Sequence, residues 1–349
     1  MKIGILTFHF AHNYGAVLQC YALQKYLERC GHDVVVIDYK PPQVFNVYRW
    51  FEIKRFIRRN PFAVMKELLQ LYPRYKRYSE FENFIANNLR KSSKDETNYD
   101  LVVVGSDQVW NTRLTHGFDP YYWGRVFSCP KISYAASMEQ KLSDESRHDV
   151  LESLGNFNKI SVREDSLKKN LINAGCQKEI YVSVDPTLLL SEKEWNEFAN
   201  NDVSGLGRYL FLYQVRNSPK AFCIAKKIAR ERNLKVIELS ANIGNRNSKS
   251  VIASSPPKFV SLIKNAECVV ATSFHGTVFS VLLKKDFYAV RLNDGNDSRI
   301  ESLLSSLNME SRFIEVYEEP GVQIDWNEVE KITKELVTSS KSYLKECCV

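Results

Sequence analysis

Lys2-Ile-Gly-Ile-Leu-Thr-Phe8, running into His9-Phe-Ala-His-Asn-Tyr-Gly-Ala16, decides how the rest of the chain is read. Residues 3–8 are a short apolar run rich in β-branched and aromatic side chains, the pattern of a buried strand. Val17, Leu18, Tyr21, Ala22 and Leu27 then recur at helical spacing, with Gly31 placed as a stop. Asn13 can cap that helix, Gly15 admits close approach of a ligand to the backbone, and the free N–H groups of the first turn favour negative charge. The join therefore predicts either an anion site, with Asn13, Tyr14 and Gly15 at its edge, or an ordinary capped turn.

The same alternation continues outward. Strands are expected at 3–8, 34–38, 101–105, 132–136, 159–163 and 180–184, and helices at 15–30, within 50–90, and at 143–156, 164–174 and 191–200. Asn200-Asn-Asp-Val-Ser-Gly-Leu-Gly207 has linker composition, after which strands at 208–213, 234–239, 268–272 and 286–290 alternate with helices at 219–232, 257–265, 276–284 and 297–307. A final amphipathic helix is expected at about 326–345. Strands alternating with helices predict an α/β chain with parallel sheets covered on both faces. The expected architecture is two Rossmann-like domains facing a cleft: residues 1–200, with a helical insertion at about 41–98, and residues 208–349. Ligands of such folds sit beyond the carboxyl ends of the strands.

With 349 residues, 44% hydrophobic and 12% aromatic, the chain has enough apolar material for two cores. No apolar run approaches the ~20 residues that span a bilayer, and the opening residues lack the pattern of a signal peptide, so a cytoplasmic protein is expected. The eight cysteines form no C-x-x-C pair and no zinc spacing, which predicts reduced thiols and no metal. The net charge of +7 is concentrated between Arg49 and Lys91, where basic residues interleave with aromatics such as Trp50, Phe51, Tyr72 and Phe81. Such a segment fits a solvated helical insertion or a peripheral contact with an anionic membrane face. No recognisable nucleic-acid module accompanies it, and nucleic acid is not an expected partner.

Several strand ends carry polar groups to the predicted cleft. Gly105-Ser-Asp-Gln-Val-Trp-Asn111 ends one, where Ser106, Asp107 and Asn111 can meet sugar hydroxyls and Trp110 can stack on a sugar face; a capped turn with a core tryptophan is the alternative. Ser106 lacks the G-x-S-x-G context of a nucleophile elbow. Ser273-Phe-His-Gly276 puts His275 at a helix N-terminus, where it can hold a phosphate or act as an acid, although the helix field opposes its protonated form. Arg163 in Ser161-Val-Arg-Glu164 is a candidate fork for phosphate or carboxylate, and Arg299 can reach the cleft from its helix start. Asp185 in Asp185-Pro-Thr187 reads as a turn residue. There is no phosphate loop, H-E-x-x-H, EF-hand loop or Asp-x-Asp clamp, and no G-x-G-x-x-G after a strand.

Asn13-Tyr-Gly-Ala-Val-Leu-Gln19 with Tyr21-Ala-Leu23, Gly105-Ser-Asp-Gln-Val-Trp-Asn111, Ser161-Val-Arg-Glu164, Asp185-Pro-Thr187 and Ser273-Phe-His-Gly276 together resemble the polysaccharide pyruvyl transferase family, in order over roughly residues 1–305. The resemblance implies a fold similar to GT-B glycosyltransferases and transfer of pyruvate from phosphoenolpyruvate onto a sugar of a polysaccharide or lipid-linked precursor, as a ketal. It implies His275 and Arg163 as catalytic groups and no cofactor beyond the donor. Asn13, Tyr14, Gly15, Ser273, Gly276 and Arg299 are then expected around the donor, and Ser106, Asp107, Trp110 and Asn111 around the acceptor. One departure stands out: many relatives of the resembled family have an arginine where this chain has Ser273, so either Arg291 or Arg299 compensates or this member handles a different donor or acceptor. The alternatives are a glycosyltransferase using a sugar nucleotide and a sugar-binding member without catalysis.

Overall fold

Six runs dominated by valine and isoleucine pair in parallel to make the first sheet, because strands buried on both faces need no polar alternation. They are β1 (Lys2–Leu6), β2 (Asp33–Val36), β3 (Leu101–Asp107), β4 (Lys131–Ala136), β5 (Ile160–Val162) and β6 (Ile180–Val182), in the order β2-β1-β3-β4-β5-β6. Five more, β7 (Tyr209–Gln214), β8 (Lys235–Ser240), β9 (Cys268–Ala271), β10 (Phe287–Val290) and β11 (Phe313–Ile314), form a second parallel sheet ordered β11-β10-β9-β7-β8. The computed structural model describes residues 1–48, 61–93, 96–138, 142, 144–199, 203–240, 254–293, 297–318 and 323–348. Arg49 to Asn60, part of the expected basic and aromatic insertion, and residues 200–202 of the expected linker lie outside the described residues.

The two sheets share one winding pattern. In each, the first strand lies between the second and the third, so the chain reverses direction across the sheet beside that strand, and a crevice opens beyond its carboxyl end. In the first sheet the crevice lies between the ends of β1 and β3, and in the second between the ends of β7 and β9. Ten of these strands match the expected runs to within a few residues; β11, only two residues long, carries too little pattern to be read.

The first helix, Tyr14–Arg29, joins the domains. Asn13 caps it, accepting from Gly15 N at 2.9 Å. Tyr14 stacks on Phe259 of the second domain, with ring centroids 4.6 Å apart, and its hydroxyl donates to the Ser254 carbonyl at 2.8 Å. One apolar core runs through this junction and holds Val17, Leu18 and Phe81 together with Tyr213, Phe259 and Phe279. The insertion contributes a continuous helix, Pro61–Asn88, whose last half buries Phe81, Phe84 and Ile85 in that core.

The final helix, Trp326–Cys347, starts on the second domain and ends on the first. Asp325 caps it; Val329 packs in the shared core and Glu330 pairs with Lys284 at 2.9 Å. Grouped by sequence with residues 208–349, it instead carries its last turns onto the first sheet, because its apolar stripe continues past the second domain. There Tyr343 donates to the Ser133 carbonyl at 2.8 Å, Ser340 Oγ accepts from Val184 N at 3.0 Å, and Glu346 pairs with Lys159 at 2.7 Å. Among the described residues no helix is long and apolar enough to cross a membrane. Replacing buried Tyr343 with alanine is expected to lower stability by about 3–5 kcal/mol, read from the urea midpoint; an unchanged midpoint would show that the helix does not brace the first sheet.

Candidate functional site

The two crevices face each other across a cavity of about 260 Å³. Phe8, Asn13 and Ala16 after β1, and Asp107 and Gln108 after β3, form one wall. Tyr213, Val215 and Arg216 after β7, and Thr272, Ser273 and His275 after β9, form the other, with Asp297 and Arg299 from the start of helix Ser298–Ser306 at the rim. The winding of the sheets thus brings together segments about 100 to 260 residues apart, as the rule for open parallel sheets requires.

Asp185 lies at the centre of the polar cluster beneath this cavity. It follows β6 and is almost wholly buried. Its Oδ1 accepts from Thr187 N at 3.0 Å and Thr187 Oγ1 at 2.7 Å, while Oδ2 accepts from Arg163 Nη1 at 2.7 Å. The same Oδ2 lies 3.3 Å from His275 Nε2, an ion-pair distance without ideal hydrogen-bond alignment. Burial opposes the charge of Asp185, but His275, Arg163 and Thr187 outweigh it and hold the carboxyl well below the usual carboxylate range.

Arg163 is not the open clamp that its place at a strand end suggested. Its side chain is 2% exposed and already enclosed by carboxylates: Asp185 at 2.7 Å, Asp107 at 3.3 Å and Glu164 at 4.0 Å. Burial opposes its charge; the three carboxylates overcome that and keep it protonated. Its guanidinium also lies over the Phe274 ring, 4.5 Å from the centroid, and Arg299 approaches the same ring at 5.9 Å. Phe274 thus touches an arginine of each domain. Glu164 is fastened by Ser137 Oγ at 2.9 Å and Met138 N at 3.2 Å, and burial raises its pKa against the pull of Arg163 and Arg299.

His275 sits in the first turn of helix Phe274–Leu282 and lines the cavity. Its ring lies so close to Gly15 that a Cβ there would overlap Nδ1, which explains glycine at the start of the first helix. Ser273, in the position of the missing arginine, caps the helix by accepting from Gly276 N at 3.0 Å. Gly276 packs against Ala271 and Tyr213, where a Cβ would come within 2.9 Å of either. Arg291 pairs with Glu301 at 3.3 Å and stacks on Phe313, and it does not line the cavity. Arg299 does line it.

The expected acceptor residues divide. Asp107 reaches the cavity, and Tyr48 stands with it in the wall; burial, with Asp107 adding to it, pushes the Tyr48 hydroxyl up to about 12, so it stays a donor. Trp110 is 0% exposed, stacked on Trp123 at 4.8 Å with its indole donating to the Tyr122 carbonyl. It has no free face for a sugar, because the turn after β3 folds the indole back into the first core. Asn111 caps the short helix Thr112–Thr115 and donates to Gln108 Oε1 at 2.7 Å. Ser106 donates to the Ala135 carbonyl at 3.0 Å and its own carbonyl accepts from Thr7 Oγ1 at 2.8 Å, so it serves to hold Asp107 in place. Tyr14, expected beside the donor, is buried in the interdomain stack.

Sequence reasoning missed Arg216, Tyr48 and the role of Asp185. Arg216 follows β7 as Ser273 follows β9, so the strand order is the signal that marks it; Asp185 does cap a turn, and its other oxygen makes the cluster. Removing Arg163 as Arg163→Met leaves buried Asp185 without its main partner and is expected to cost about 3–5 kcal/mol at neutral pH. Because the folded pKa of Asp185 is depressed, that stabilisation is complete above the unfolded value of ~3.9 and fades as pH falls below it. Urea midpoints of the two proteins should therefore converge in acid, and a gap that widens there would contradict the assignment.

The family model described as polysaccharide pyruvyl transferase matches residues 13–294, a span that includes Asp107, Arg163, Asp185 and His275 and stops short of Arg299. No curated protein matches. Among solved structures, the S. aureus MnaA–UDP co-structure aligns over 96% of this chain and 87% of its own at 12% identity, with a TM-score of 0.50. UDP-N-acetylglucosamine 2-epimerase from Rickettsia bellii aligns over 99% and 97% at 11% identity, TM-score 0.46. E. coli ADP-heptose lps heptosyltransferase II aligns over 98% and 100% at 11% identity, TM-score 0.40. At 12% identity the likeness to the first of these concerns the fold alone, an α/β chain with two parallel sheets.

Proposed function

The chain belongs to the polysaccharide pyruvyl transferase family, and from that premise we propose that it uses phosphoenolpyruvate to place a pyruvate ketal on a sugar acceptor. The observation that carries the reading is the cavity wall of the second domain, where Arg216, Arg299 and the N-terminal turn bearing His275 converge on one small space. Cations and free helix N–H groups together suit a compact ligand with two anionic groups. A cavity of about 260 Å³ has room for a compact donor such as phosphoenolpyruvate.

In this scheme Arg216 and Arg299 hold the donor's phosphate and carboxylate, in place of the arginine that Ser273 replaces and of the enclosed Arg163. His275 gives a proton to the methylene carbon, which becomes a methyl group and leaves the adjacent carbon electrophilic. An acceptor hydroxyl attacks that carbon, phosphate departs, and the neighbouring hydroxyl closes the ketal. Asp107 and the Tyr48 hydroxyl face the first-domain side and receive the sugar hydroxyls. Holding donor and diol against each other removes most of the entropic barrier to ring closure.

The direct test is phosphate release from phosphoenolpyruvate with and without lipid-linked sugars from the source organism. Acceptor-dependent release is expected, with His275→Ala abolishing it. Arg299→Ala should raise KM for phosphoenolpyruvate by about 10- to 100-fold, the worth of one charged hydrogen bond. Release that ignores the acceptor, or turnover of a sugar nucleotide instead, would overturn the reading.

A lipid-linked acceptor also accounts for the face of helix Pro61–Asn88 turned from the core. Met65, Leu68, Leu69, Tyr72 and Tyr75 stand exposed at helical spacing, Leu69 at 74% and Tyr72 at 72%, beside exposed Lys76. Leu69→Glu is expected to weaken sedimentation with anionic vesicles while leaving activity on a soluble sugar intact; equal sedimentation of both proteins would remove the membrane role.

A further inference from the structure

The two supports of the His275 ring both come from the opposite domain. Gly15, in the first helix, lies flat against the Nδ1 side. Asp185, after β6, lies 3.3 Å from Nε2, and no hydrogen-bond partner for Nε2 comes closer among the described residues. Asp185 is more than a counterion for Arg163, since that guanidinium also has Asp107 and Glu164 beside it. The carboxylate is itself immobilised through Thr187, whose amide and hydroxyl both donate to Oδ1.

We propose that Asp185 is the positioning residue for His275, holding a proton on Nε2 and leaving Nδ1, on the Gly15 side, as the nitrogen that exchanges a proton with the ligand. A buried carboxylate beside an imidazole fixes its tautomer and orientation in this way. Because Asp185 and His275 belong to different domains, the acid is complete only where the domains meet. The proposal rests on the pyruvyl-transfer reading for its chemical step: the doubly protonated ring gives its Nδ1 proton to the donor's methylene carbon and becomes neutral, keeping its Nε2 proton beside Asp185, and Nδ1 then takes a proton back from the attacking acceptor hydroxyl.

The test begins with the full-length protein carrying 15N-histidine, with no donor or acceptor present. The His275 signals, identified by their loss in His275→Asn, are expected to show the Nε2–H tautomer when the ring is neutral; the Nδ1–H tautomer would overturn the assignment. This measurement needs no catalysis, so failure of pyruvyl transfer and failure of the positioning role are separable. In turnover, Asp185→Asn is expected to lower kcat by ~100-fold or more with KM for phosphoenolpyruvate little changed. Glu164→Gln takes a carboxylate from the same arginine without touching His275, and equal loss of kcat in both variants would reduce Asp185 to a counterion. Should Asp185→Asn fail to fold, the tautomer of the unaltered protein still decides.

Discussion

One buried carboxylate organises the centre of this molecule. Asp185 carries a charge where solvation cannot help it, so polar and basic groups must surround it, and they come from three places: Thr187 of its own turn, Arg163 after β5, and His275 of the second domain at 3.3 Å. Each donor is constrained in turn. Arg163 spreads over Asp107 and Phe274, and His275 rests on Gly15. A single desolvated charge therefore ties the floor of the cleft, its histidine and the approach of the two domains into one arrangement.

That arrangement depends on the topology around it. Both sheets wind so that a crevice opens beyond the first strand of each, and the shared core around Tyr14, Phe259 and Tyr213 sets the crevices face to face. The final helix reinforces this by crossing from Val329 in that core to Tyr343 on the first sheet. Within the cavity the labour is divided. The second domain supplies Arg216, Arg299 and a helix terminus, and the first supplies Asp107 and Tyr48.

Ser273 has a structural role of its own. Serine caps helix Phe274–Leu282, a role an arginine side chain does not fill, and so keeps the His275 turn regular. Arg216 and Arg299 line the same cavity. Arg163 stands at the expected strand end, but with three carboxylates around it, it serves the floor and not the ligand.

The strands, the helices and the strand ends where polar groups emerge are legible in the sequence, because hydrophobic period and capping are local properties. Ser273, His275, Asp107 and Arg299 were legible as cleft residues for that reason, and the ordered motifs carried the family. Which way a side chain turns at a strand end was decided only by the tertiary structure. Trp110 turned into the core, Arg163 was enclosed, Asp185 became the hub and Arg216 joined the cavity wall, each through partners well beyond its own turn, such as Trp123 for Trp110 and His275 for Asp185. Burial and charge pairing act through space, and no local pattern encodes the order in which strands will lie side by side.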